Sequence, residues 1–75
     1  MARHYLTQLR ERSGLGPFEM AERLGIPYRE YDQLERGQLK IRTDSALMAR
    51  ISAAVELPVQ CILQQEIDWE KASCF

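Results

Sequence analysis

Two interruptions, Gly25-Ile26-Pro27 and Gly37, decide how residues 16–37 can be arranged. Gly16 suits a helix start, and Pro17 fits a first helical position because its missing N–H has no partner to lose there. Phe18, Met20, Ala21 and Leu24 follow as one apolar face. Gly25 supplies a left-handed residue to end that helix. Ile26-Pro27 marks a boundary, since the residue before proline avoids helical angles. A second helix then fits residues 28–36, with Tyr31 and Leu34 inward and Tyr28 assignable to either face. Gly37 closes it as Gly25 closes the first. The stretch therefore predicts two short helices about a tight glycine-containing corner, a helix-turn-helix unit.

The same periodicity places a first helix over residues 3–12, with Leu6 and Leu9 inward, Arg3, Gln8 and Arg12 outward, and Ser13-Gly14 as its end. Tyr5 borders its inner face. Residues 38–43 read as a loop with Leu39 or Ile41 tucked beneath it. Thr43 or Asp44 caps a fourth helix whose stripe is Leu47, Met48, Ile51, Ala54 and Val55. Pro58 opens a fifth, with Val59, Ile62 and Leu63 inward. Five short helices on one core make an all-α domain. Residues 1–63 are assigned to it. The tail, residues 64–75, carries Ile67, Trp69 and Phe75, too apolar for a solvated end. It is expected either to pack on the core, continuing the fifth helix, or to lie at a dimer interface.

With 75 residues the chain makes one domain, and a chain of this length buries only about 60 % of its unfolded surface. Cys61 and Cys74 are too few for a disulfide scaffold or a zinc site and read as free thiols of a reducing compartment. No leader or membrane span is recognisable, so a soluble, cytoplasmic protein is expected. The net charge is −1, unlike the strongly basic balance usual among nucleic-acid binders. Its distribution is uneven. Glu66, Asp68 and Glu70 outweigh Lys71 in the tail, whereas Arg36, Lys40 and Arg42 follow one another without an intervening acid. That is a basic loop on a near-neutral protein.

Enzyme chemistry has little to work with. His4 is the only histidine, no Ser/His/Asp set or glycine-rich phosphate loop can be placed, and Glu19 and Glu22 read as a solvated helix face. No cofactor or metal is expected.

The residues at the helix joints resemble those of the phage-repressor (Xre-like, Cro-like) helix-turn-helix family. The resemblance runs from about Leu9 to Leu63. It is carried by Leu9-Arg10, Gly14-Leu15, the block Met20 to Ile26, Leu34-Glu35-Arg36-Gly37, and Ala54-Val55 before Leu57-Pro58. It implies a five-helix, lambda-repressor-like domain with a short C-terminal extension, acting as a sequence-specific regulator on double-stranded DNA. Residues 28–36 would be its recognition helix, and a homodimer through residues 57–75 would pair two half-sites. The resemblance also implies an internal ion pair between Arg10 and Glu35, and phosphate contacts from Arg36, Lys40 and Arg42.

Along the recognition segment the outward side chains are Tyr28, Arg29, Asp32 and Gln33. Arginine forks onto guanine and glutamine onto adenine, and Arg29 and Gln33 share a face as an i, i+4 pair. Four residues depart from the family pattern. Pro17 replaces a glutamine that meets the phosphate backbone, Pro27 replaces a small polar residue, and Glu30 and Asp32 set acids on or beside the face meant for a polyanion. The competing expectation is a protein-interaction module on the same fold, with Trp69, Phe75 and the acidic face docking on a partner.

Overall fold

The computed structural model describes residues 1–41 and 46–73. Among them are five helices and no strand: α1 (His4–Arg12), α2 (Pro17–Leu24), α3 (Tyr28–Glu35), α4 (Ala46–Val55) and α5 (Val59–Ser73). The domain is all-α. No single helix among the described residues is long and apolar enough to cross a membrane.

Four helices end in the same way. The chain turns left-handed at Gly14, Gly25 and Gly37, and at Glu56, which adopts φ 56° after α4. In each case the next residue's N–H reaches back five positions: Leu15 to Arg10, Ile26 to Ala21, Gln38 to Gln33 and Leu57 to Ser52. These are Schellman closures, which satisfy carbonyls a helix end would otherwise leave bare. Glycine takes the left-handed conformation without a Cβ clash; Glu56 does so at a cost of about 1–2 kcal/mol. At Gly37 a side chain is excluded twice over. A Cβ there would run into the Met1 carbonyl and stand 2.8 Å from Trp69 Cζ2.

One core joins Leu6 and Leu9 of α1, Leu15, Met20, Ala21 and Leu24 of α2 and its approach, and Tyr31 and Leu34 of α3 with Met48, Ile51, Val55 and Ile62. Ile41 is the loop residue buried beneath the chain, and Leu39 is half-buried. α2 packs against α3 and α4, α5 packs against α4, and α1 touches both α3 and α4. The cap expected at Thr43 or Asp44 lies outside the described residues.

Three expected side-chain directions are reversed. Phe18 is 68 % exposed instead of inward. A helix advances about 100° per residue, so the i, i+2 step from Phe18 to Met20 spans about 200° and cannot share a face. Val59, at the first position of α5, is exposed, while Ile62 is buried and Leu63 half-buried. Arg3, expected outward, has no solvent exposure at all. It precedes α1 instead of sitting on its polar face, so the helical periodicity assigned to it does not apply.

α5 runs without a break through the boundary expected at residues 63 and 64. Its second half packs on the domain through Glu66, fully buried, and Trp69, half-buried.

Candidate nucleic-acid interface

Tyr31 and Leu34 fix the inner face of α3, which sets the rest of the helix by rotation. About 180° away lie Arg29 and Arg36, both exposed, flanked by Asp32 and Gln33, both half-buried. Tyr28, at the first position, is 40 % exposed on one edge, and Glu30 is exposed on the other. Lys40 is exposed in the loop beyond. Arg42 lies outside the described residues. Tyr28, Arg29, Asp32, Gln33 and Arg36 thus share one surface of α3, and Glu30 is turned toward its margin.

The acid within that surface is matched. Asp32 accepts from Arg36 Nε at 2.9 Å in an i, i+4 pair. Arg36 is well exposed and Asp32 partly so, and the pair opens easily to a stronger ligand; such contacts contribute about 0–1 kcal/mol.

The inner side of α3 is held by two polar clusters. In the first, Arg10 Nε donates to Glu35 Oε2 at 2.7 Å and Arg10 Nη1 to the Leu15 carbonyl at 2.9 Å. Thr7 Oγ1 donates to the other carboxylate oxygen at 3.0 Å. Glu35 is spent on structure, joining α1 to α3. The Tyr31 hydroxyl is buried beside this pair, with no hydrogen-bond partner among the described residues. Burial, and next the Glu35 carboxylate, push its ionisation well above the usual phenol range.

The second cluster joins residues far apart in the chain. Arg3 Nε and Nη2 donate to the two oxygens of Glu66 at 2.8 and 3.0 Å. Arg3 Nη1 donates to the Leu34 carbonyl, and the Arg3 amide donates to Glu35 O at 2.7 Å. The guanidinium lies over the Trp69 ring, 4.1 Å from its centroid. Trp69 Nε1 in turn donates to Ala2 O at 3.0 Å, and the Tyr5 hydroxyl donates to Glu66. Burial and Glu66 raise the Tyr5 phenol as well. Two carbonyls at the C-terminal end of α3 are thereby anchored to the amino-terminal segment and to α5.

This cluster draws Arg3 inward, against expectation, and ties Trp69 to the domain. Trp69 has a ring face and its N–H engaged within the molecule, so it packs on the domain, one of the two placements expected of the tail. Phe75 lies outside the described residues. Sequence reasoning missed Arg3 and Glu66 because 63 residues separate them and no local period relates them. Phe18 was missed as a surface residue; ring stacking on Tyr28, with centroids 4.1 Å apart and planes 20° from parallel, places it at the edge of the α3 surface.

No group of three or more His, Cys, Asp or Glu side chains able to hold a metal ion occurs among the described residues. The chain matches no known family model and no curated protein.

Proposed function

We propose that this is a lambda-repressor-like helix-turn-helix domain and a sequence-specific regulator that binds double-stranded DNA through α3. The observation that carries the reading is the outer face of α3, on which Arg29 and Arg36 are exposed among the described residues. Arg29 and Gln33 lie together on it, and Asp32 has its charge matched by Arg36. In helix-turn-helix docking the second helix lies in the major groove and its N-terminal residues meet the base edges, which brings Tyr28, Arg29 and Gln33 to the bases. Arg29 forks onto guanine O6 and N7; Gln33 pairs with adenine N6 and N7. Arg36, Lys40 and Arg42 neutralise phosphates and set position without choosing sequence. The anchoring of α3 by Glu35 below and Arg3 at its C-terminal end supports this role, because a reading helix must keep its orientation when it meets the duplex. Dimerisation through residues 57–75 would present two copies of α3 to half-sites about one helical turn apart.

Titration of the purified protein against duplex DNA at several salt concentrations tests the proposal. Affinity is expected to fall along a straight log–log line with salt, and Lys40→Ala to flatten that line by about one. Arg29→Ala is expected to lower preferred-site affinity about 5- to 150-fold with little effect on random DNA. Equal effects on both DNAs would remove Arg29 as a reader, and no binding at low salt would remove DNA altogether. Sedimentation of the intact chain beside one ending at Leu63 tests the dimer.

A further inference from the structure

Phe18 and Tyr28 present an aromatic pair to solvent at the place where the first turns of α2 and α3 meet. Phe18 is 68 % and Tyr28 40 % exposed. The rings stack nearly parallel, 4.1 Å between centroids. An exposed aromatic stack in a domain with so small a core is apolar surface that folding leaves unused. Its position is set by sequence. Pro17 fixes the start of α2, so Phe18 emerges on the side away from Met20, Ala21 and Leu24, and Tyr28 opens α3 directly after Pro27.

We infer that the Phe18–Tyr28 stack is a specificity element that recognises the C5-methyl group of a pyrimidine in the major groove. The inference rests on the proposed docking of α3. Given that docking, the first residue of α3 is among those nearest the base edges, and Phe18 stacks on it from the start of α2. Apart from the Tyr28 hydroxyl, the pair offers no donor or acceptor to a base. Of the groups that unmodified base pairs display in the major groove, the apolar one is the thymine methyl; the rest are hydrogen-bonding atoms that an aromatic ring would leave unsatisfied. The same methyl on cytosine presents the same surface. The stack also restrains both rings before DNA arrives, so little side-chain freedom is lost on contact. Arg29, the next residue, then reads the adjoining base pair.

The test begins by selecting duplexes retained by the wild-type protein from a random-sequence pool at low salt. Each thymine of the selected site is then replaced by deoxyuridine, which removes the methyl and leaves base pairing intact. At one position this is expected to weaken wild-type binding about fourfold, the effect of exposing one methyl. Phe18→Ala, checked for unchanged helicity, is expected to bind the thymine and deoxyuridine duplexes alike. Putting 5-methylcytosine opposite guanine at that position separates the two methyl sources. Restored affinity identifies the methyl on either base as the ligand, and continued weakness identifies thymine alone. A retained duplex indifferent to uracil everywhere, or uracil sensitivity that survives Phe18→Ala, overturns the methyl-reading role and leaves DNA binding intact. Failure of the wild type to retain any duplex overturns both.

Discussion

Breaking the Arg3–Glu66 pair is expected to be among the most damaging single changes available to this domain. Both side chains have no solvent exposure, and both carboxylate oxygens are engaged by the guanidinium at 2.8 and 3.0 Å. Glu66→Leu would leave a buried cation with only the Leu34 carbonyl and the Trp69 ring around it. Arg3→Met would leave a buried carboxylate with the Tyr5 hydroxyl as its remaining donor. Stranding one member of a buried pair costs about 3–5 kcal/mol. A domain of this length has about 4–11 kcal/mol in total, so either variant would lose a large fraction of its stability. At about 4–8 °C per kcal/mol, Tm is expected to fall by at least ~12 °C. The double variant removes both charges together, but also deprives the Leu34 carbonyl and the Tyr5 hydroxyl of partners, at about 1–3 kcal/mol each. It is therefore expected to be no worse than the more damaged single variant, with a coupling energy of about 2 kcal/mol or more. Urea denaturation followed by helical circular dichroism, with the slope checked for constancy across the four proteins, measures the cycle. Effects additive to within ~0.5 kcal/mol, as for an exposed pair, would show that the two charges remain solvated and refute the reasoning.

The left-handed helix ends make a matched pair of predictions. Glu56→Gly is expected to stabilise by about 0.5–1 kcal/mol, the relief of left-handed strain outweighing the added freedom of the unfolded chain; a fall in the denaturation midpoint would show that the Glu56 side chain makes a contact worth more than that strain. Gly37→Ala is expected to cost more than ~2 kcal/mol, since the strain is joined by the encounter with the Met1 carbonyl and Trp69; a change below ~1 kcal/mol would mean that the amino-terminal segment moves aside freely. Alkali is expected to unfold the protein. Tyr5 and Tyr31 both ionise above the ordinary phenol value of 10.0 when folded, through burial first and the adjacent carboxylate second. The unfolded chain therefore loses these protons first: the stabilisation is complete below about pH 10 and declines as pH rises, by about 1.4 kcal/mol per pH unit for each phenol. Tyr31→Phe should remove one such contribution above pH 10 while leaving stability at pH 7 unchanged or up to ~1 kcal/mol higher, because its hydroxyl has no partner to lose; an unaltered slope in denaturation midpoints between pH 8 and 11 would contradict this.

Local rules were sufficient for the helices and their ends. Proline at the start of α2 and glycine at the ends of α1, α2 and α3 act within a few residues, and the structure reproduces those joints nearly position for position. The α4 stripe of Met48, Ile51 and Val55 was equally legible, because a helix repeats its inward face every three to four residues. The outer face of α3 followed from Tyr31 and Leu34 by the same geometry. Local rules failed where a residue lay just outside a helix, as at Arg3, or where an apolar residue was assumed to be buried, as at Phe18.

What the chain determined by itself, then, was the set of helices, their breaks, most of the core and the side of α3 turned away from it, all governed by interactions spanning a turn or two. Tertiary packing decided the remainder. It drew Arg3 off the surface onto Glu66 and Trp69, made the tail a continuation of α5, and stacked Phe18 against Tyr28. The physical reason is that burying a charge, or leaving an aromatic ring in water, depends on which distant groups arrive beside it, and periodicity along one helix carries no record of them.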